Sequence, residues 1–486
     1  MIRTLAKLVS GRAWRRFEAA CQAPEAIQAA LWQRTATLIA DAPFWRGRVR
    51  ALEDMPLTRY DDYRAVLADD QARTTSSLNG ETVQFWAESS GTTAAPKLFP
   101  MTRTYRAQFQ TVNLPFVHGL IRRFPGFLAK KVLYLTSPGP TEVNAAGVGV
   151  GFISGYNYLN TPPLIARAYA LPRAVLVDEA SYHRDAALYA LAADVGSILA
   201  VTPARVRLLA EEIVQRKDEL LARLPSVASA ARVAHVRRVL DAGELDLKRL
   251  WPALEVVGAW KTSACALQLA SLDRYLDASV PRVDVIYSAT EGWVNVPFRS
   301  DASGGPVHPG AMICEFLSGE RLLKPWQLTV GEDYEIVITN MMGLVRYRLF
   351  DVVRCTGFFH RSPIVEFVGK AARELIVGMM RVSEAQLVAA LATSPLAGHL
   401  GLVFAPRASG DGIVLWARAP IVGIPSISSI DARLRELNAY YRADVASGIL
   451  QPLTFATLPA DHPLWSELQG GAQAKPRIYV DTPLGA

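Results

Sequence analysis

Apolar and polar residues are arranged along this chain in short blocks whose period changes from two to about 3.6 and back. Thr82–Ala87 (TVQFWA) is β-branched and aromatic and predicts a strand. Lys131–Thr136, Ser197–Val201, Leu254–Trp260, Val283–Tyr287, Asp333–Thr339 and Leu344–Arg348 read the same way. Helical runs lie between them. One extends from Thr102 to about Ile121 with an interruption near Pro115; another opens at the cap pair Thr202-Pro203 and reaches about Leu224. This alternation, sustained to about residue 360, predicts an α/β layered fold.

The pattern shifts near Phe367–Lys370. Beyond it, helix Ser383–Ala392, strands Leu400–Phe404 and Ile413–Ala417, helix Ser429–Tyr441 and strand Pro452–Leu458 form a small α+β set. The predicted organisation is a large multi-sheet α/β N-terminal domain, residues 1–368, followed by a small α+β C-terminal domain, residues 369–486. Gly147–Tyr158 (GVGVGFISGYNY) is Gly-rich and fits either a close backbone approach or a flexible loop. There is no internal repeat and no low-complexity tract.

Composition narrows the function classes. The chain has 486 residues, half of them hydrophobic and 20% charged, which places it among globular proteins with a sizeable core. A net charge of +7 is mild at this length; it favours anionic substrates such as ATP and carboxylates. No basic arm with interleaved aromatics is present, so nucleic-acid binding is a poor reading. Cys21, Cys265, Cys314 and Cys355 are scattered and unpaired in spacing, which predicts buried, reduced thiols and a cytoplasmic protein. The seven His show no metal-ligand spacing. The basic, amphipathic N-terminus lacks the apolar core of a secretory signal and predicts a helix packed on the domain rather than one lying on a membrane. No run approaches ~18 uninterrupted apolar residues, so no membrane span is expected.

Three motifs carry chemistry. In Glu88–Lys97 (ESSGTTAAPK) a strand feeds Ser89, Ser90, Gly91, Thr92 and Thr93, with Lys97 following. Exposed backbone N–H groups, hydroxyls and a cation suit phosphate oxygens, although the spacing is not that of a P-loop NTPase. Val285–Trp293 (VIYSATEGW) delivers Tyr287, Thr290 and Glu291; Gly343–Phe358 (GLVRYRLFDVVRCTGF) sets Arg346, Arg348 and Asp351 in a β-branched pattern. An enzyme that adenylates a substrate needs a triphosphate loop, a carboxylate for Mg²⁺, an aromatic face for adenine and a carboxylate for the ribose hydroxyls. Glu291, Tyr287 and Asp351 are candidates for the last three. Strand alternation places Arg346 and Arg348 on one face, where either could orient Asp351 or a phosphate.

The order of these motifs is that of the adenylate-forming superfamily. In detail the chain resembles the acyl acid amido synthetases, which conjugate plant hormones such as jasmonate, auxin and benzoates to amino acids, and their bacterial relatives. The resemblance rests on PLTRYDDY (Pro56–Tyr63), SSGTT…PKLFPMT (Ser89–Thr102), WPALEVVGAW (Trp251–Trp260), YSATEGW (Tyr287–Trp293), CEFL (Cys314–Leu317), GEDYEIVITNMMGLVRYRLFDVVRCTGF (Gly331–Phe358) and GAQAKPR (Gly471–Arg477). It implies the adenylate-forming enzyme fold, with a small domain that rotates between half-reactions about a hinge just past RYRxxD. It also implies an ATP- and Mg²⁺-dependent ligase that joins a carboxylic acid to an amine, an amino acid, through an acyl adenylate; for the oligomeric state, which the sequence does not fix, a monomer is favoured. By the same resemblance Thr290 touches the α-phosphate, Glu291 ligates Mg²⁺, and Lys475, with Gln473 beside it, swings over the α-phosphate. Two other expectations stay open: acyl transfer to coenzyme A or a carrier thiol, and a nucleotide-binding pseudoenzyme. The acyl pocket is expected around Phe109, Leu114 and His118. Three positions depart from the family pattern: Phe350 stands where Gly is usual, Lys370 where Arg is usual, and Met379-Met380 where an acidic residue is common.

Overall fold

A computed structural model describes residues 2–89, 97–140, 142–299, 301–371, 373–377, 380–421, 427–469 and 477–484. The chain divides into two compact units. The larger comprises residues 1–201, 208–260 and 275–367; the smaller comprises 202–207, 261–274 and 368–486.

Among the described residues the larger unit has three sheets of four or more strands. Strands Leu98–Thr102, Val83–Glu88, Gly149–Gly151 and Glu142–Val143 form the first, in that order. Its central strand Val83–Glu88 runs antiparallel to Leu98–Thr102 and parallel to Gly149–Gly151. The second is wholly parallel, in the order Lys131–Leu135, Val195–Ala200, Val256–Gly258, Arg282–Val283. Its central strand Val195–Ala200 is almost continuously buried, as expected for a strand covered on both faces. The third has six strands in the order Gly305–Pro306, Ser362–Lys370, Tyr347–Phe359, Asp333–Thr339, Ile313–Ser318, Arg321–Leu323. Along Tyr347–Phe359, Tyr347, Leu349, Asp351, Val353 and Cys355 are buried and alternate with more accessible residues, the period-two signature of a strand with one face in the core.

The Gly-rich segment resolves into strand Gly149–Gly151 and helix Ile153–Leu159. A Cβ at Gly155 would collide with the carbonyls of Ser137 and Pro138, so here the close-approach reading holds. Three local expectations are corrected. Helix Arg103–Arg123 runs through Pro115 without interruption. Its Val112, Phe116, Leu120 and Ile121 share a core with Trp14 and Phe17, and this packing outweighs the ~3 kcal/mol a mid-helix proline costs. The Val283–Tyr287 run is a strand only over Arg282–Val283, after which the chain leaves the sheet and the Tyr287 N–H is taken up by Asn295 Oδ1 at 2.8 Å. Leu344–Arg346 precedes the strand, which begins at Tyr347.

Helix Ile2–Gln22 buries Trp14, Phe17 and Cys21 in the larger unit. All four cysteines are buried and outside any disulfide, and burial pushes the Cys21 thiol up to about 12.

The smaller unit carries the sheet Leu402–Pro406, Ile413–Arg418, Thr454–Leu458, the hairpin Glu374–Val377/Met380–Ser383, and helices Glu384–Ala392, Ser428–Leu437 and Ala439–Ala446. Ser383 caps the first of these helices by accepting from Gln386 N–H, while the Gln386 side chain accepts from Ser383 N–H. Met380 is buried in this unit's core, which accounts for an apolar residue at that departure from the family pattern; Met379 lies outside the described residues.

Candidate active site

The strand before ESSGTTAAPK and the strand after it pair as a hairpin. Ser89 N–H donates to Lys97 O at 2.9 Å and Lys97 N–H donates to Ser89 Oγ at 3.3 Å, so these two residues form the neck of the loop. Ser90, Gly91, Thr92 and Thr93 lie outside the described residues. The Lys97 ammonium sits 5.4 Å from the centre of the Tyr60 ring, a cation–π distance.

Thr290 and Glu291 form the tip of a hairpin between Ser288–Ala289 and Gly292–Trp293. Strands of two residues hold no turn rigidly by themselves. Here the tip is fastened from outside. Thr290 Oγ1 donates to the carbonyl of Glu88, the last residue before the Ser/Thr/Gly loop, at 3.3 Å. Tyr105 Oη donates to Thr290 O at 3.0 Å, and Asn340 Nδ2 donates to Glu291 O at 2.6 Å. Tyr347 Oη donates to Glu291 Oε1 at 3.3 Å. The structure thus brings the first motif and the TE pair together, across about 200 residues of sequence.

Asp351 is only 1% exposed and accepts at Oδ2 from Tyr287 Oη at 2.5 Å. Tyr287 is 7% exposed, and its ring centre lies 5.6 Å from that of Phe367. The Tyr287 ring is thus buried with Phe367 beside it, and its hydroxyl is directed at Asp351. Burial drives the phenols of Tyr105, Tyr287 and Tyr347 well above their ordinary range, and the nearby Glu291 and Asp351 carboxylates add to the rise. All three stay protonated at working pH and so act as donors.

Arg346 and Arg348 do not orient Asp351. Arg346 adopts φ +47° just ahead of the strand, which takes it out of the alternation. Its guanidinium donates to Glu315 from Nε at 3.0 Å and Nη2 at 3.2 Å, and from Nη1 to the carbonyls of Glu53 and Met55. Arg348 forms a bidentate pair with Glu335, both bonds at 2.7 Å, and lies 4.7 Å over the Phe350 ring. Both arginines bind neighbouring carboxylates as structural clamps. Phe350 has φ +56°, a left-handed conformation that costs a side-chain-bearing residue ~1–2 kcal/mol and explains why glycine suits this place.

The pocket reading on helix Arg103–Arg123 divides. At about 100° per residue, Phe109 and His118 face opposite sides. Phe109 meets Trp293 edge-on, whereas His118 packs on Trp14 and its Nδ1 lies 3.2 Å from Ser10 Oγ. Burial lowers the His118 pKa, with Arg122, Lys7 and Arg15 contributing. Leu114 is half-buried. Lys370 ends strand Ser362–Lys370, and its carbonyl accepts from Arg373 N–H at 3.2 Å. Gln473 and Lys475 lie outside the described residues.

Among the described residues no group of three or more His, Cys, Asp or Glu side chains could hold a metal alone. Magnesium needs fewer protein ligands: it is held by one or two carboxylates, with phosphate oxygens and water filling its octahedron. The pre-oriented Glu291 carboxylate fits a cation arriving with a polyphosphate. Tyr105, Asn340 and Tyr347 escaped the motif reading. For Tyr347 a signal existed, since alternation puts it on the same inward face as Asp351.

The model of the GH3 family N-terminal domain matches residues 13–281, and that of the GH3 family central domain matches residues 306–370. A probable indole-3-acetic acid-amido synthetase of Oryza sativa subsp. japonica, GH3.9, is 30% identical over 240 residues, 43% of this chain. That match spans about half, 54%, of the rice protein. Among solved structures, a GH3.15 acyl acid amido synthetase in complex with 2,4-DB superposes with a TM-score of 0.83 at 19% identity, covering 97% of this chain and 94% of that one. A 2-hydroxyisobutyryl-CoA ligase in its postadenylation state gives 0.59 at 12% identity, covering 94% and 89%. The fold is that of these ligases, as the motif order implied. With the N-terminal family model alone matching more than half of its length, the chain belongs to the GH3 family.

Proposed function

We propose that this protein is an ATP-dependent ligase that activates a carboxylic acid as its adenylate and passes the acyl group to an amine, an amino acid, to form an amide. A carboxylate oxygen attacks the α-phosphorus and pyrophosphate leaves. The amine nitrogen then attacks the acyl carbon, AMP leaves with the carboxylate oxygen, and the nitrogen gives up a proton. The observation that supports this reading most is the fastening of Thr290–Glu291 to Glu88 at the base of the Ser/Thr/Gly loop. It sets a carboxylate and a hydroxyl beside the segment best suited to phosphate. The names of the rice relative and of the two superposed ligases agree with it.

In this proposal Ser89, Ser90, Gly91, Thr92, Thr93 and Lys97 hold the phosphates, and Thr290 meets the α-phosphate. Glu291 ligates Mg²⁺, which would neutralise phosphate charge. Asp351 receives the ribose hydroxyls, with Tyr287 beside the adenine. Lys475 and Lys370 act from the smaller C-terminal domain, 369–486, which rotates between half-reactions. No helix among the described residues is long and apolar enough to cross a membrane; a monomer in the cytoplasm completes the proposal. Pyrophosphate release across a panel of aryl and alkyl acids, with hydroxylamine as trap, tests it. Hydroxamate formation is expected. Silence across the panel with ATP binding intact would overturn the ligase reading, and turnover with coenzyme A but with no amino acid would replace the amide by a thioester.

A further inference from the structure

The Arg-Tyr-Arg triplet at 346–348 has its two arginines turned to Glu315 and Glu335, and this leaves the tyrosine between them as the residue the clamps serve. Thr58 reinforces the bracket: its N–H donates to Arg346 O at 2.9 Å and its carbonyl accepts from Arg348 N–H at 2.8 Å. Tyr347 is 1% exposed, with its ring 6.1 Å from Tyr63 and 6.3 Å from Phe99. Its hydroxyl is therefore set by the core and by the central sheet, whereas Glu291 stands on a turn between two-residue strands.

We propose that Tyr347 is the positioning residue of the site: by donating to Glu291 Oε1 it fixes the plane of that carboxylate for a divalent cation bound together with nucleotide. The inference rests on the reading of Glu291 as the metal carboxylate. A glutamate side chain loses up to ~2 kcal/mol of rotamer freedom when it is held in one conformation. Tyr105 and Asn340 already fix the backbone on either side, so the remaining freedom is in the side chain, and the phenol removes it before any ligand arrives. A carboxylate offers about four lone-pair sites, so one hydroxyl leaves acceptor capacity for a hard cation.

The test compares Tyr347→Phe, Glu291→Gln and Tyr63→Phe with the natural protein. Mn²⁺ is titrated by electron paramagnetic resonance into protein saturated with a non-hydrolysable ATP analogue, and the Mg²⁺ dependence of pyrophosphate release is measured beside it. Tyr347→Phe is expected to weaken Mn²⁺ about tenfold or more, the scale seen when a group orienting a metal ligand is removed. The Mg²⁺ needed for half-maximal rate should rise by the same factor, with kcat at saturating Mg²⁺ recovered. Tyr63→Phe loses hydroxyl contacts to Thr58 and to Val345 N–H, so it should lower the melting temperature and leave Mn²⁺ binding unchanged. Natural Mn²⁺ affinity in Tyr347→Phe, together with loss in Glu291→Gln, would overturn the role of Tyr347 alone. Equal weakening in both tyrosine variants would also overturn it, as general loosening of the strand. Natural affinity in Glu291→Gln would overturn the metal reading of Glu291 itself.

Discussion

Phe350 carries a side chain in a conformation that glycine adopts freely, immediately before the buried carboxylate of Asp351. Two substitutions separate the backbone cost from the contribution of the ring. Phe350→Ala and Phe350→Gly both remove the ring and its contact with the Arg348 guanidinium, so the difference between them reports the backbone alone. In ordinary helices and strands glycine is less stable than alanine by roughly 0.5–1 kcal/mol. At φ +56° the left-handed penalty of about 1–2 kcal/mol falls on alanine and spares glycine, so the order should invert by about 1 kcal/mol. Urea unfolding followed by tryptophan fluorescence measures this as a shift in midpoint between two variants of otherwise identical composition. Comparing midpoints under one set of conditions avoids assuming a two-state transition in a chain of two units. A glycine variant that is no more stable than the alanine variant would refute the strain argument, and with it the explanation of why glycine suits this place.

Other consequences follow from individual contacts. Arg346→Met leaves the buried Glu315 with Lys324 as its remaining cation; a loss of about 3 kcal/mol in urea unfolding is expected, the lower end for a broken buried pair. His308 is buried with its pKa pushed down to about 4 by desolvation. Its unfolded form takes a proton near pH 6.5 and its folded form only near 4, so stability present above pH 6.5 is lost as pH falls across that window. The slope of melting temperature against pH should be shallower in His308→Asn; equal slopes would contradict this. Lys475→Ala should lower kcat for adenylation and leave ATP affinity and melting temperature nearly unchanged, since its charge would act on the transition state of a closed form. Collapse of ATP binding in that variant would make it a ground-state ligand.

Local pattern made most of the fold legible. Asp333–Thr339 is a strand with the expected bounds, and the helix expected from Ser383 begins one residue later, at Glu384. Errors came where distant parts of the chain decide. Pro115 stays helical because the N-terminal helix packs on that face, and the Val283–Tyr287 run leaves its sheet because Asn295 takes the Tyr287 N–H. The site divides the same way. Residue types in the three motifs picked out Thr290, Glu291 and Asp351. The groups that hold Thr290 and Glu291, namely Tyr105, Asn340 and Tyr347, act across 185, 49 and 56 residues, a pairing that no periodicity encodes. The arginines were misjudged for two reasons: alternation turns Arg348 away from the face of Asp351 and toward Glu335, and Arg346, in a left-handed conformation, stands outside the alternation.

Activation of the acid through its own oxygen on the α-phosphorus can be followed directly with an isotope. With the acid that best supports pyrophosphate release, labelled with ¹⁸O in the carboxylate, and an amino acid acceptor, one labelled oxygen should leave with the nucleotide. Mass spectrometry should find AMP heavier by one ¹⁸O for each amide formed, with unlabelled pyrophosphate. Label in inorganic phosphate, ADP in place of AMP, or unlabelled AMP would contradict an acyl adenylate.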